Sequence, residues 1–167
     1  MSGADGSDPF ARTRQHFETL VAWMAGAEAT GLDHGDLEGR LDSEGRELQR
    51  LMLQDHLDLR AATEGRLADV VDSNGVGRGT VEADADRALR TIFGEVTVVR
   101  LAYRRRRHPN LYPADAALNL PAETHSHGLR YLAAIEASRG SFDATVDAVG
   151  RATGQRIGKR QIEGLAA

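Results

Sequence analysis

The sequence has no cysteine, so disulfides and thiolate chemistry are excluded and any zinc site would have to use histidine and carboxylate ligands. No apolar run approaches the roughly 18 residues that a membrane span needs. The first ten residues, MSGADGSDPF, are small, polar and acidic; with neither a basic region nor an apolar one, they are read as a tail rather than a secretory signal. Lysine is almost missing: 20 of the 21 basic residues are arginine. No internal repeat and no extended low-complexity tract occurs. Together these absences suggest an ordinary cytoplasmic domain of 167 residues, or two small ones.

The charge that is present is unevenly placed. Residues 1–86 hold 8 arginines and 18 carboxylates, a net −10, whereas residues 87–167 hold 12 arginines, one lysine and 7 carboxylates, a net +6. An acidic half followed by a basic half suggests that only the second half meets a polyanion.

The hydrophobic period divides the acidic half. Residues 1–8 are expected to be a disordered tail, and residues 9–66 a helical hairpin. Its first helix runs from Phe10 to about Ala29, carrying Phe17, Leu20, Val21 and Met24. Its second runs from about Asp36 to Glu64 with Leu37, Leu41, Leu48, Leu51, Met52 and Leu59 at helical spacing. Such a hairpin also offers a dimerisation surface. Within it, Asp55-His56-Leu57-Asp58 gathers metal-type ligands, but the spacing is read as a solvated helix face.

Residues 67–107 are expected to form a small antiparallel sheet. Asn74-Gly75, flanked by valines, signals one hairpin. A second is read from Arg87–Phe93 and Val96–Arg104, turning at Gly94-Glu95, with Val96, Val98, Arg100 and Ala102 sharing one face. Gly75, Gly77 and Gly79 lack the Lys-Ser/Thr of a phosphate loop and are read as a flexible tip. The strand ends in Arg104, Arg105, Arg106 and Arg107, four guanidiniums whose mutual repulsion a phosphate backbone would relieve. Residues 108–125, with three prolines, form a connector; its end, His125-Ser126-His127, is read as a polar cluster at a helix start.

Residues 126–167 read as three helices. Ser126–Ser138 is the first. Ser141 caps the second, whose face carries Phe142, Val146 and Val149, and Gly154 ends it. The third, Lys159–Leu165, buries Ile162, Leu165 and Ala166 and turns Lys159, Arg160, Gln161 and Glu163 outward. A capped helix, a short turn with glycine and a second helix with exposed basic residues is the helix-turn-helix pattern, whose second helix enters the DNA major groove. Lys159, Arg160 and Gln161 are therefore candidates for groove contacts; Arg104–Arg107, Arg151 and Arg156 are candidates for phosphates. No catalytic or metal-ligating constellation is found. The expected architecture is α+β: helical hairpin, small sheet, and a three-helix unit ending in a helix-turn-helix.

Three segments, RTIFGEVTVVRLAYR (Arg90–Arg104), NLYPADAALNLPAETHSHGLR (Asn110–Arg130) and SFDATVDAVGRATGQRIGKRQIEGLA (Ser141–Ala166), resemble the amino-terminal region of ISKra-type bacterial insertion-sequence transposases. Leu48–Arg60 and Val70–Arg78 are similar too. The resemblance implies a longer protein in which an RNase H-like domain, with an Asp-Asp-Glu triad holding divalent metal, follows this region. None of those acids has a counterpart here, so the chain is expected to be non-catalytic, without cofactor, and to bind double-stranded DNA at the element's ends in the nucleoid. Two other expectations stand beside this one. In one, the hairpin pairs with itself or with full-length transposase and interferes with it; in the other, the chain is a decayed remnant.

Overall fold

The computed structural model describes residues 8–166, and the architecture is α+β. Residues 1–7 of the expected tail and Ala167 lie outside the described residues. Asp8 is held in place, accepting from Phe10 N at 3.0 Å and pairing with Arg14 at 2.6 Å. In chain order come helices α1 (Ala11–Met24), α2 (Ala27–Thr30) and α3 (His34–Thr63), strands β1 (Thr80–Thr91) and β2 (Gly94–Arg104), and helices α4 (Pro113–Ala117), α5 (His127–Arg139), α6 (Phe142–Thr153) and α7 (Lys159–Ala166).

The helical hairpin forms, with its first helix broken at Gly26, whose extended backbone separates α1 from α2. Asp33 starts α3 by accepting from Asp36 N at 2.9 Å, which places the start two residues before the expected one. On α1, Thr13, His16, Leu20 and Trp23 lie at helical spacing and are buried or half-buried, while their neighbours Phe17, Val21 and Met24 are exposed. The two helices are clamped near one end by Arg12 and Thr13 on Asp55, and near the other by Arg40 stacked 4.9 Å from the Trp23 ring.

That clamp corrects the reading of Asp55-His56-Leu57-Asp58 as a solvated face. His56 is exposed, but the Asp55 side chain is only 1% exposed. Asp55 accepts from Thr13 N at 3.1 Å, Thr13 Oγ1 at 2.6 Å and Arg12 Nε at 2.7 Å, and Asp58 takes the other end of the same guanidinium. Burial alone would raise the Asp55 pKa, but the Thr13 and Arg12 hydrogen bonds outweigh it and hold the carboxyl below its usual range.

The sheet has two strands, and two strands alone are marginal in water. It stands because α3 covers one face: Leu57, Leu89, Val96 and Val98 make a buried cluster with Leu53, Leu118 and Leu120. The sheet's outer edges are also partly covered. Gln54 pairs its amide with both main-chain groups of Thr97 (2.8 and 2.9 Å), Glu64 accepts from Leu101 N, and Leu111 exchanges two bonds with Tyr103. On the other edge, Arg90 donates to Thr124 O and accepts from Ser126 N. No unpaired row remains at these positions to template another strand. The connector thus does structural work, including helix α4, whose Asp115 sits 2.8 Å from the buried Arg100.

Two hairpin expectations are corrected. Around Asn74-Gly75 only a single bridge forms, between Val71 and Gly77, because Asp72 satisfies the turn itself by accepting from Asn74 N, Val76 N and Arg78. The real hairpin begins at Thr80, seven residues earlier than expected, with an irregularity between Glu82 and Ala85 where Asp84 has φ +59°. Its turn is Ile92-Phe93, not Gly94-Glu95: Thr91 pairs with Gly94, and Thr91 Oγ1 bridges Phe93 N and Gly94 O.

Candidate nucleic-acid interface

The basic C-terminal half is built on a second core. Leu129 and Ala133 of α5, Val149 of α6, Ile157 of the α6–α7 turn, and Ile162 and Leu165 of α7 are buried together. The α6 face differs from expectation. Thr145, Val149 and Thr153 point inward and Val146 is half-buried, while Phe142 is 39% exposed. Thr145 and Thr153 are tolerated inside because each hydroxyl donates to a carbonyl four residues back. Ser126 and Ser141 cap α5 and α6 as their sequence positions suggest, accepting from Leu129 N and Ala144 N.

The connection from α6 to α7 is fixed at four points. Gly154 takes the left-handed conformation at φ +69° and closes α6, with Arg46 of α3 close by. Gln155 reaches the tip of the β-hairpin and donates to Thr91 O, and Ile157 is buried at 1%. Gly158 N then donates to Gln161 Oε1 at 3.2 Å, the reciprocal half of a capping box. Gly154→Ala is expected to cost about 1–2 kcal/mol, since a Cβ disfavours this backbone and would sit 3.1 Å from Arg46 Nη1. Urea unfolding of the variant measures that loss.

With Ile162 and Leu165 anchored, α7 presents Lys159, Arg160, Gln161 and Glu163 to solvent; Arg151 and Arg156 are exposed as well. The Ala166 side chain lies outside the described residues. Lys159 carries a partner that its sequence position hides: its Nζ lies 2.9 Å from Asp143 on α6, a hydrogen bond that raises the Lys159 pKa. Gln161 is partly committed to capping.

Arg104–Arg107 are all exposed. They do not continue the strand. Arg104 ends β2 and pairs with Glu82, and the chain then turns, with Arg107 at φ +63°. Arg104, Arg105 and Arg106 border a cleft of about 540 Å³ with Asp69, Gly77 and Arg78. Arg78 is no free cation there, being buried and bound to Asp72 and to the carbonyls of Val76 and Pro109. The two basic groups are not brought together. The arginine run lies at the open end of the hairpin, and the α6–α7 turn is tethered to its closed end at Thr91. Ten strand steps at ~3.3 Å each separate those ends by roughly 33 Å.

The polar cluster before α5 is structural. Ser126 is the cap, His127 Nε2 meets Asn119 O at 3.0 Å, and His125 is 8% exposed beside Arg90. Burial, with Arg90 and Arg130 adding to it, lowers the His125 pKa. Among the described residues no group of three or more histidines and carboxylates is arranged to hold a metal ion. No helix among them is long and apolar enough to cross a membrane. Comparisons of the chain with protein-family models, with curated proteins and with solved structures give no match.

Proposed function

We propose that this chain is the DNA-binding amino-terminal region of an insertion-sequence transposase, non-catalytic by itself, in which α6 and α7 act as a helix-turn-helix. One observation carries the reading. Helix α7 is anchored by a fully apolar inner face, Ile162 and Leu165, and exposes Lys159, Arg160 and Gln161 on the other. That is the disposition of a recognition helix that enters a major groove. The two ends of the β-hairpin, one tethering the α6–α7 turn and the other carrying Arg104–Arg107, are ~33 Å apart, close to one turn of B-form DNA at 34–36 Å. One group can read the groove while the other neutralises phosphates a turn away.

Fluorescence anisotropy with duplexes enriched from a random-sequence pool, alongside scrambled controls, tests the proposal. Binding should weaken as salt rises. Arg105→Ala, Arg106→Ala and Arg107→Ala should each lower the log–log salt slope by about 0.9 for every phosphate contact removed. Lys159→Glu with Arg160→Glu should cost tenfold or more and erase the preference over scrambled sequence. Asp143→Asn should tighten binding, because it releases Lys159 and removes a carboxylate from the same surface. No binding at low ionic strength, or charge reversal without effect, would overturn the reading.

A further inference from the structure

We propose that the helical hairpin docks a second copy of this chain, with α3 packing antiparallel on α3 of the other copy. The inference does not rest on DNA binding; it comes from a face of the acidic half that the fold leaves uncovered. Helix α3 uses Leu53 and Leu57 toward the sheet, and Asp55 and Asp58 toward α1. At ~100° per residue, Leu41, Gly45, Leu48, Met52, His56 and Leu59 fall on one line, on the side of the helix away from the sheet. Leu41 and Met52 are exposed and Leu48 and Leu59 only half-buried. No carboxylate or guanidinium interrupts that line over ~27 Å of helix.

Helix α1 widens it. Phe17 and Val21 are 53% and 50% exposed, and Met24 extends their stripe. The two helices run antiparallel, and each stripe is displaced in the same rotational sense from its line of contact. Both stripes therefore open on one side of the hairpin. The α3 stripe over ~27 Å and the 14 residues of α1 over ~21 Å, each a helix width (~10 Å) across, project to roughly 480 Å² per protomer. Accessible area exceeds its flat projection, so this approaches the ~800 Å² per partner of a stable interface. Depletion of charge at the centre is the mark of such interfaces.

The occupant is argued from the stripe's own symmetry. Turned end for end on itself, it sets Leu41 opposite Leu59 and Leu48 opposite Met52, twice each about a two-fold axis. Gly45, with nothing within 4 Å of its Cβ position, then faces His56 and leaves room for the ring. Charge is compatible with this register: the Asp42–Arg46 pair of one copy flanks the stripe beside Arg60 of the other, on the side away from α1. A two-fold interface must be self-complementary in this way. Within one chain, Gly45 is otherwise a cost to a helix interior that no contact explains.

Sedimentation velocity over a range of concentrations tests the proposal, with a dimer expected for the full chain. Met52→Glu should raise the dissociation constant about thirtyfold or more. Gly45→Gln should do the same, yet at concentrations where both proteins are monomeric its urea midpoint should be no lower than that of the parent. Because the chain lacks cysteine, a variant with Leu41→Cys and Leu59→Cys reports register directly. The two positions are ~27 Å apart on one helix, so an antiparallel pair joins position 41 to position 59 of the other copy and leaves either single-cysteine variant uncoupled, whereas a parallel pair would oxidise each single variant as well. A monomer at every concentration, a dimer indifferent to Met52→Glu, or a dimer that fails to cross-link would each overturn the proposal. Lys159→Glu with Arg160→Glu should leave the dimer intact, which separates this test from that of DNA binding.

Discussion

Asp55→Ala is expected to destabilise the chain by about 2–4 kcal/mol, measured by urea unfolding at pH 7. The size follows from what the carboxylate does at the start of α1. Phe10, the residue before that helix, offers no capping side chain, and Thr13 N is among the first-turn donors without a partner inside the helix. Asp55 of α3 supplies the missing acceptor from another element, at 3.1 Å, and takes the Thr13 hydroxyl as well. Thr13 is 7% exposed, so both donors would be left without water. The guanidinium is different: the Arg12 side chain is 54% exposed and can turn to solvent or to Asp58. Arg12→Ala should accordingly cost much less than Asp55→Ala. Asp55→Asn should be clearly milder than the alanine variant, because both Thr13 bonds fall on one carboxylate oxygen that the amide oxygen can replace, and the amide nitrogen then faces only the guanidinium. The carboxyl is held below its unfolded value of about 3.9. Its contribution is therefore fully present above that value and is lost as pH falls through the lower folded pKa. The gap between parent and Asp55→Ala should be constant from pH 7 to about pH 5, then close in acid. A gap that widened in acid would mean the residue is buried protonated.

Asp55 also shows what a sequence can and cannot carry. Its helix was legible, since Leu37 to Leu59 repeat at helical spacing, but the spacing says nothing about which side another helix will cover. The same limit hides the Lys159–Asp143 pair, whose members are 16 residues apart on different helices. Local chemistry reads well where a residue acts on its neighbours. Ser126, Ser141 and Gly154 are found at the helix ends that their types favour. It reads poorly where tertiary contacts decide. The Gly94-Glu95 pair looks like a turn, yet Gly94 is needed one place later, where its φ of +134° lets the backbone pass Arg50; a Cβ there would lie 2.8 Å from Arg50 Cδ. The turn then falls on Ile92-Phe93, two apolar residues that no turn preference selects. Arg104–Arg107 were legible as an exposed basic run, but their distance from α7 was not. Chain order suggested neighbours, and the hairpin sets them at opposite ends.

Ile162→Ala is expected to cost about 2–5 kcal/mol and to release α7 from the body. The helix is eight residues long, well under the ~12–15 at which isolated helices become even marginal in water. It persists through two anchors, Ile162 at 0% exposure and Leu165 at 9%, set against Leu129, Ala133, Val149 and Ile157. Removing the more deeply buried anchor leaves a cavity under the first turn and too little burial to offset the entropy of ordering the segment. Amide exchange should quicken across residues 159–166 while α3 and the β-hairpin, built on the separate Leu57–Val98 cluster, keep their protection. Leu129→Ala should give a loss of similar size but spread it over α5, α6 and α7, since that side chain is at the centre of all three. Gly164→Ala runs the other way. Its Cβ would meet nothing within 4 Å, so the gain in helix propensity, about 0.5–1 kcal/mol, should slow exchange in α7. The pair separates order from charge: Ile162→Ala leaves every basic residue in place, and if it abolishes DNA binding while Gly164→Ala strengthens it, the surface acts as a folded helix. Binding that survives Ile162→Ala unchanged would mean the arginines act as a loose polycation, and the recognition-helix reading would fall.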